Sequence, residues 1–132
     1  MASTVWSGTK EFSASGGETT LVPIPMPYRG VLRAYTLVQT SGANNGATCK
    51  VLNSNQSTPP NSLLPEAQFV LTEFSIANGE TTANAPDVEF SYLNRDGTPS
   101  NGQRFLYLKI TPGGSGAKNF VFSVTIDGIY LQ

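Results

Sequence analysis

Apolar and polar residues alternate with a period of two over much of this chain, the spacing of a strand that lays one face on a core. The clearest run sets Phe120, Phe122, Val124 and Ile126 against Val121, Ser123, Thr125 and Asp127. Ile129, Tyr130 and Leu131 continue it past Gly128, where the pattern predicts a kink or bulge. Phe105 to Thr111 alternates Leu106, Leu108 and Ile110 with Phe105, Tyr107 and Lys109. Val31 to Thr40 reads as Leu32, Ala34 and Val38 on one face and Arg33, Tyr35 and Leu37 on the other. Weaker runs predict strands at Thr4–Phe12, Glu18–Ile24, Ala47–Leu52 and Phe69–Ile76, and around Val88, Phe90 and Tyr92. No segment carries the i, i+3, i+4 stripe of an amphipathic helix.

Turn residues punctuate these runs. Ser15-Gly16-Gly17, Asn78-Gly79 and Asn94 to Gly97 break the alternation, Gly42 to Gly46 reads as a hairpin-like loop, and Pro112 to Gly116 as a hairpin tip. Pro23, Pro25 and Pro27 remove three ladder donors at alternate positions, which confines that stretch to a sheet edge or an extended connector. Asn53 to Pro65 reads as a long surface loop, and Thr81 to Pro86 as a polar connector. Eight or nine short strands with turn signals between them predict an all-β fold, an antiparallel β-sandwich of jelly-roll type. An immunoglobulin-like sandwich comes second, lacking its Cys…Trp…Cys mark. The length suits one domain over residues 1–132, with residues 1–14 a docking arm or a strand.

Composition narrows the function. Thr, Ser, Asn and Gly make up 50 of the 132 residues, charged residues only 13%, and the net charge is −1. The eight cations are scattered singly, so nucleic acid is not an expected partner. Apolar runs stop at four residues or fewer, too short for a membrane-crossing helix, and the N-terminus has no signal-peptide pattern. Synthesis in a reducing cytoplasm without signal-directed export is therefore expected.

Candidate chemistry is sparse. There is no histidine, and Cys49 is the only cysteine, so the usual general base, nucleophile pairing and metal-ligand sets are missing. No enzyme, cofactor or metal is expected. Glu73, Asp87 and Glu89 could act as a glycosidase pair or supply oxygen ligands to a cation. Exposed charge on outer strand faces is the simpler reading of these three. Gly113-Gly114-Ser115-Gly116 lacks the Gly-Lys-Ser/Thr ending of a phosphate loop. Aromatic side chains, Trp6 and the tyrosines among them, could stack on sugar rings or pack in the core. Tyr35, Leu37 and Tyr107 lie on strands apolar on both faces, which predicts one face on the core and one on a partner.

A low-charge, Thr/Ser/Asn/Gly-rich all-β chain without an export signal resembles, in overall texture, the small head decoration (cement) proteins of tailed bacteriophages. The resemblance implies a non-enzymatic virion protein on the outer capsid surface. Its partners would be the major capsid protein and its own copies, a trimer being favoured. The candidate partner interface is then Val5, Trp6, Lys10 and Phe12 in the N-terminal segment, Tyr28 and Arg29 after the proline connector, and Tyr35, Leu37 and Tyr107. The alternative is a carbohydrate- or receptor-binding module, such as a phage tail or fibre domain, with a glycan as its ligand.

Overall fold

A computed structural model of the chain describes residues 2–25, 30–43, 45–53, 67, 69–77, 82–84, 88–90 and 105–130; strands β6 and β7 and the outer ends of β1, β2 and β9 are described by their backbone alone. Nine strands lie in the described residues: β1 (Ala2–Ser15), β2 (Thr20–Pro25), β3 (Gly30–Ser41), β4 (Ala47–Leu52), β5 (Val70–Ile76), β6 (Thr82–Asn84), β7 (Val88–Phe90), β8 (Phe105–Pro112) and β9 (Ala117–Tyr130). They form a five-stranded sheet in the order β1-β9-β3-β6, with β7 also on β3, and a four-stranded sheet in the order β2-β8-β4-β5.

Every pairing is antiparallel, and the pairs nest: β1 with β9, β2 with β8, β3 with β6 and β7, β4 with β5. The chain is one long hairpin whose arms then curl, bringing β9 beside β3 and β8 beside β4. This is jelly-roll topology. β6 and β7 run end to end along one edge of β3, against Leu37–Tyr35 and Leu32–Gly30. Thr82–Asn84 is thus a strand and not the connector its polarity suggested, because a ladder needs backbone groups and no apolar side chain.

The core lies between the sheets. β9 contributes Phe120, Phe122, Val124 and Ile126, and β8 contributes Leu106, Leu108 and Ile110, all at 0–1% exposure. Each such side chain contributes about 1.5–3 kcal/mol of burial free energy. Phe74 of β5 bridges the layers, its ring 4.4 Å from Tyr35 and 6.3 Å from Phe122 across the sandwich. The proline rule holds: β2 is an edge strand, with Pro23 opposite Tyr107 and Pro25 opposite Phe105.

Three expectations are corrected. The register of β9 with β1 passes Gly128 without a shift, so no bulge lies there. Bulges lie in β3 instead, at Arg33 and Thr40, where its pairing with β9 skips a residue. The Arg33 bulge inverts the alternation, so Leu32, Tyr35 and Leu37 all face the core while Ala34 and Val38 are half-buried on the outer face. Finally, the loops at 42–46 and 113–116 are not hairpins. Each carries the chain from one sheet to the other, β3 to β4 and β8 to β9. The anticipated loop at 54–65 and the turns at 78–79 and 94–97 fall outside the described residues.

Candidate functional site

The arches β1–β2, β3–β4 and β8–β9 meet at one end of the sandwich. Gly16 donates its N–H to Gly116 O at 2.9 Å, Gly17 to Pro112 O at 2.8 Å, and Gly113 to Gly46 O at 2.9 Å. The approach is close enough that a Cβ on Gly16 would sit 2.6 Å from the Gly114 carbonyl carbon. Lys118 occupies the centre at 1% exposure. Its ammonium donates to Ala43 O at 2.9 Å, Asn45 Oδ1 at 3.1 Å and Ser115 O at 3.3 Å. Three donors meet three acceptors, which is how a buried ammonium is tolerated. The sequence signal was present, since Lys118 continues the core-facing parity of Phe120 to Ile126.

The outer face of the five-stranded sheet is built in cross-strand rows: Ser7–Thr125–Ala34, Thr9–Ser123–Thr36 and Glu11–Val121–Val38. Hydrogen bonds tie some rows together. Thr9 and Ser123 hydroxyls lie 3.2 Å apart, Ser13 donates to Asn119 Oδ1, and Asn119 Nδ2 donates to Ser41 Oγ at 2.7 Å. Arg33 and Asp127 pair at 3.1 Å at the other end of this face. A depression of about 440 Å³ lies towards the arch end of this face, with Glu11, Ser13, Thr40, Asn119 and Val121 in its lining.

The outer face of the four-stranded sheet differs. One row is Thr111–Thr48–Ser75, extended by Thr19, whose hydroxyl lies 2.8 Å from that of Thr111. The next row is Lys109–Lys50–Glu73, with Lys50 and Glu73 3.7 Å apart. These rows line a depression of about 580 Å³. A second depression of about 540 Å³ adjoins it, sharing Thr48, Ser75 and Thr111 and continuing towards Gly46 and Gly113. Nothing in the sequence alone places Lys50 beside Lys109, because their proximity comes from strand pairing. Beneath them Cys49 faces the core at 3% exposure, and burial pushes its thiol up to about 12.

The structure separates the residues anticipated as a partner interface. Val5 and Trp6 belong to β1, paired by backbone with Asp127 and Ile126. Lys10 is exposed on the same strand. Phe12 is half-buried against the core, stacked on Phe120 at 5.4 Å. Tyr28 and Arg29 lie outside the described residues. Tyr35 and Leu37, expected on a partner face, are corrected to core residues at 2% and 0% exposure, the consequence of the Arg33 bulge. Tyr107 does lie on the outer side of its sheet, but at 6% exposure, opposite fully buried Leu52 and beside the Phe105 ring at 6.2 Å, it has no surface to offer. Among the carboxylates, Glu73 is exposed beside Lys50, Glu89 pairs by backbone with Val31, and Asp87 falls outside the described residues. No group of three or more His, Cys, Asp or Glu that could hold a metal occurs among the described residues.

No family model matches the chain, and no curated protein does. Solved structures share its strand arrangement loosely. A chain of the Bacillus endospore appendages, which form disulfide-linked pili, is 8% identical, with 98% of this chain and 93% of that one covered and a TM-score of 0.48. PirA is 14% identical over 89% and 92% of the two chains, with a TM-score of 0.46. The BFDV capsid protein in its decameric form is 12% identical over 96% and 98%, with a TM-score of 0.44. These sequences share too little with this chain for any residue role to transfer.

Proposed function

We propose that the chain is a non-enzymatic building unit of a protein assembly, and specifically a decoration protein that docks on the outside of a phage capsid and stabilises the shell. One observation carries the reading: the middle of the outer face of β1-β9-β3 is a field of Ser, Thr, Val and Ala in register, with Glu11 and the Arg33–Asp127 pair towards its ends. Such side chains lose little rotamer freedom when covered, so a partner can pack on them at small entropic cost. Charge is sparse there, as in the buried centre of interfaces. Three strands of this length present roughly 700 Å², close to the ~800 Å² per partner of a standard interface. Contacts from Val5, Trp6, Lys10 and Phe12 on β1, the edge strand of this sheet, and from Tyr28 and Arg29 belong to the same proposal. So do self-association, with a trimer favoured, and a place on the capsid surface. Docking stabilises the shell state that it binds by mass action.

The test is light scattering of the purified chain together with co-sedimentation with capsid shells. Oligomers and shell binding are expected, and both should be lost in the double variant Thr36→Lys/Val121→Lys, which charges the centre of the face. A monodisperse monomer that ignores capsid shells would overturn the proposal.

A further inference from the structure

The clasp at the arch end holds a positive charge among neutral groups. Lys118 is buried at 1% exposure, and its ammonium meets two main-chain carbonyls and the side-chain amide of Asn45. Among the described residues no carboxylate pairs with it. The three acceptors satisfy its donors and leave its charge uncompensated. A carboxylate in place of one of them would turn a hydrogen bond to a neutral oxygen into a bond between opposite charges.

One of those acceptors stands where a carboxylate can form. Asn45 is followed by Gly46, so no Cβ shields the main-chain nitrogen next to its side-chain amide. The amide is firmly seated. A Cβ on Gly114 would fall 2.5 Å from Asn45 Cγ, so the Asn45 side chain lies flat on the Gly114 main chain. Its Oδ1 accepts from Lys118 Nζ at 3.1 Å. An ammonium on that oxygen draws electron density from Cγ and stabilises the oxyanion that forms when Cγ is attacked. Asn45 is also exposed, so water reaches it.

We propose that Asn45 is a self-modification site, deamidated in the folded chain to an aspartate that pairs with Lys118. Gly46 N attacks Asn45 Cγ, the Cγ–Nδ2 bond breaks, and ammonia leaves with the Gly46 amide proton. Water then adds to Cγ of the cyclic imide, the bond from Cγ to Gly46 N opens, and a proton returns to that nitrogen. Water is the only co-reactant, and nothing is oxidised or reduced. Water attacking the other imide carbonyl would give isoaspartate. The Lys118 ammonium polarises the Cγ–Oδ1 bond, which directs water to Cγ and leaves the backbone as it was. The oxygen that Lys118 already holds becomes half of a carboxylate. Since the clasp ties the β3–β4 arch to the β8–β9 arch, the fold tightens as the chain ages. The inference does not rest on the assembly proposal, because it uses neither outer face.

The test is ageing of the full folded chain at mildly alkaline pH, read by peptide mass spectrometry, with the urea-unfolded chain as reference. Aspartate should exceed isoaspartate at position 45 in the folded chain, and the reverse should hold in urea. Asn45→Asp, made directly, should melt about 3 °C above the unmodified chain, and the aged chain should move the same way. That gain should vanish in a Lys118→Met background. Where Lys118→Met does not fold, acid reads the same pair: protonating the new carboxyl removes its charge, so the gain should be lost as pH falls through the carboxylate range near about 4. Four results would overturn the proposal. Position 45 could remain asparagine after the urea-unfolded chain has converted there. Isoaspartate could predominate in the folded chain. Asn45→Asp could melt at or below the unmodified chain. Its gain could persist in acid or without Lys118.

Discussion

The two outer faces of this sandwich are made by the same rule and end up unlike. Both consist of the residues left over when alternate positions go to the core. On the five-stranded sheet those residues are mainly Ser, Thr, Val and Ala in rows, with Glu11 and the Arg33–Asp127 pair towards the ends and a smaller hollow of about 440 Å³ beside Glu11. On the four-stranded sheet they are two lysines, a glutamate and a line of hydroxyls over a hollow, and the next row down, Tyr107 and Leu52, is buried. A single low-charge composition thus conceals two surfaces of different chemistry.

The comparison can be broken most severely from the end that both sheets share. Replacing Lys118 with Met removes the ammonium that holds three exposed loop residues, Ala43, Asn45 and Ser115, together. Urea unfolding should show a loss of about 3 kcal/mol, and both faces should deform in parallel as the arches loosen. The double variant Thr36→Lys/Val121→Lys acts on one face only. Assembly should weaken by at least about 100-fold, since two charges would be buried at the centre of the contact, while urea unfolding shows the chain still folded.

Cys49 reports on whether the floor of the larger hollow is sealed from the core. Its thiol ordinarily titrates near 9.0, and burial raises it to about 12. Between those values the unfolded chain has lost a proton that the folded chain keeps, so stability falls as pH rises. The slope should be about 1.4 kcal/mol per pH unit from pH 9 to 12, measured by denaturation and removed in Cys49→Val. At pH 8 a thiol reagent should modify Cys49 only as fast as the chain unfolds; rapid modification of the native protein would mean an open floor. The smallest effect expected is at Tyr35. Its hydroxyl is buried with no hydrogen-bond partner among the described residues. Tyr35→Phe should therefore leave assembly intact and raise stability by up to about 1 kcal/mol, whereas a tyrosine on a partner face would weaken assembly when so changed.

The core strands could be read from the chain. Phe120 to Ile126 and Leu106 to Ile110 face inward as their alternation required, and Pro23 and Pro25 lie on an edge strand. Two kinds of feature were not legible. A bulge changes which residues face inward without changing their composition, so Tyr35 and Leu37 seemed to face outward until the extra residue at Arg33 was seen. Glycine-rich turns look the same whether the chain returns to its neighbour or crosses to another sheet, so the arches at 42–46 and 113–116 read as hairpins. Lys118 gave a signal, a cation on a core-facing position, but its three acceptors come from loops up to 75 residues away.

The alternation and the turn residues by themselves determined an all-β sandwich, and the composition left histidine out of any site. Period-two patterning and residue chemistry are local properties, and these conclusions need nothing more. Which strands pair, in what register and across which sheet was decided only in the tertiary structure, because backbone hydrogen bonds are the same for every partner. The Lys109–Lys50–Glu73 row, the Ser–Thr–Val face and the Lys118 clasp all follow from that choice.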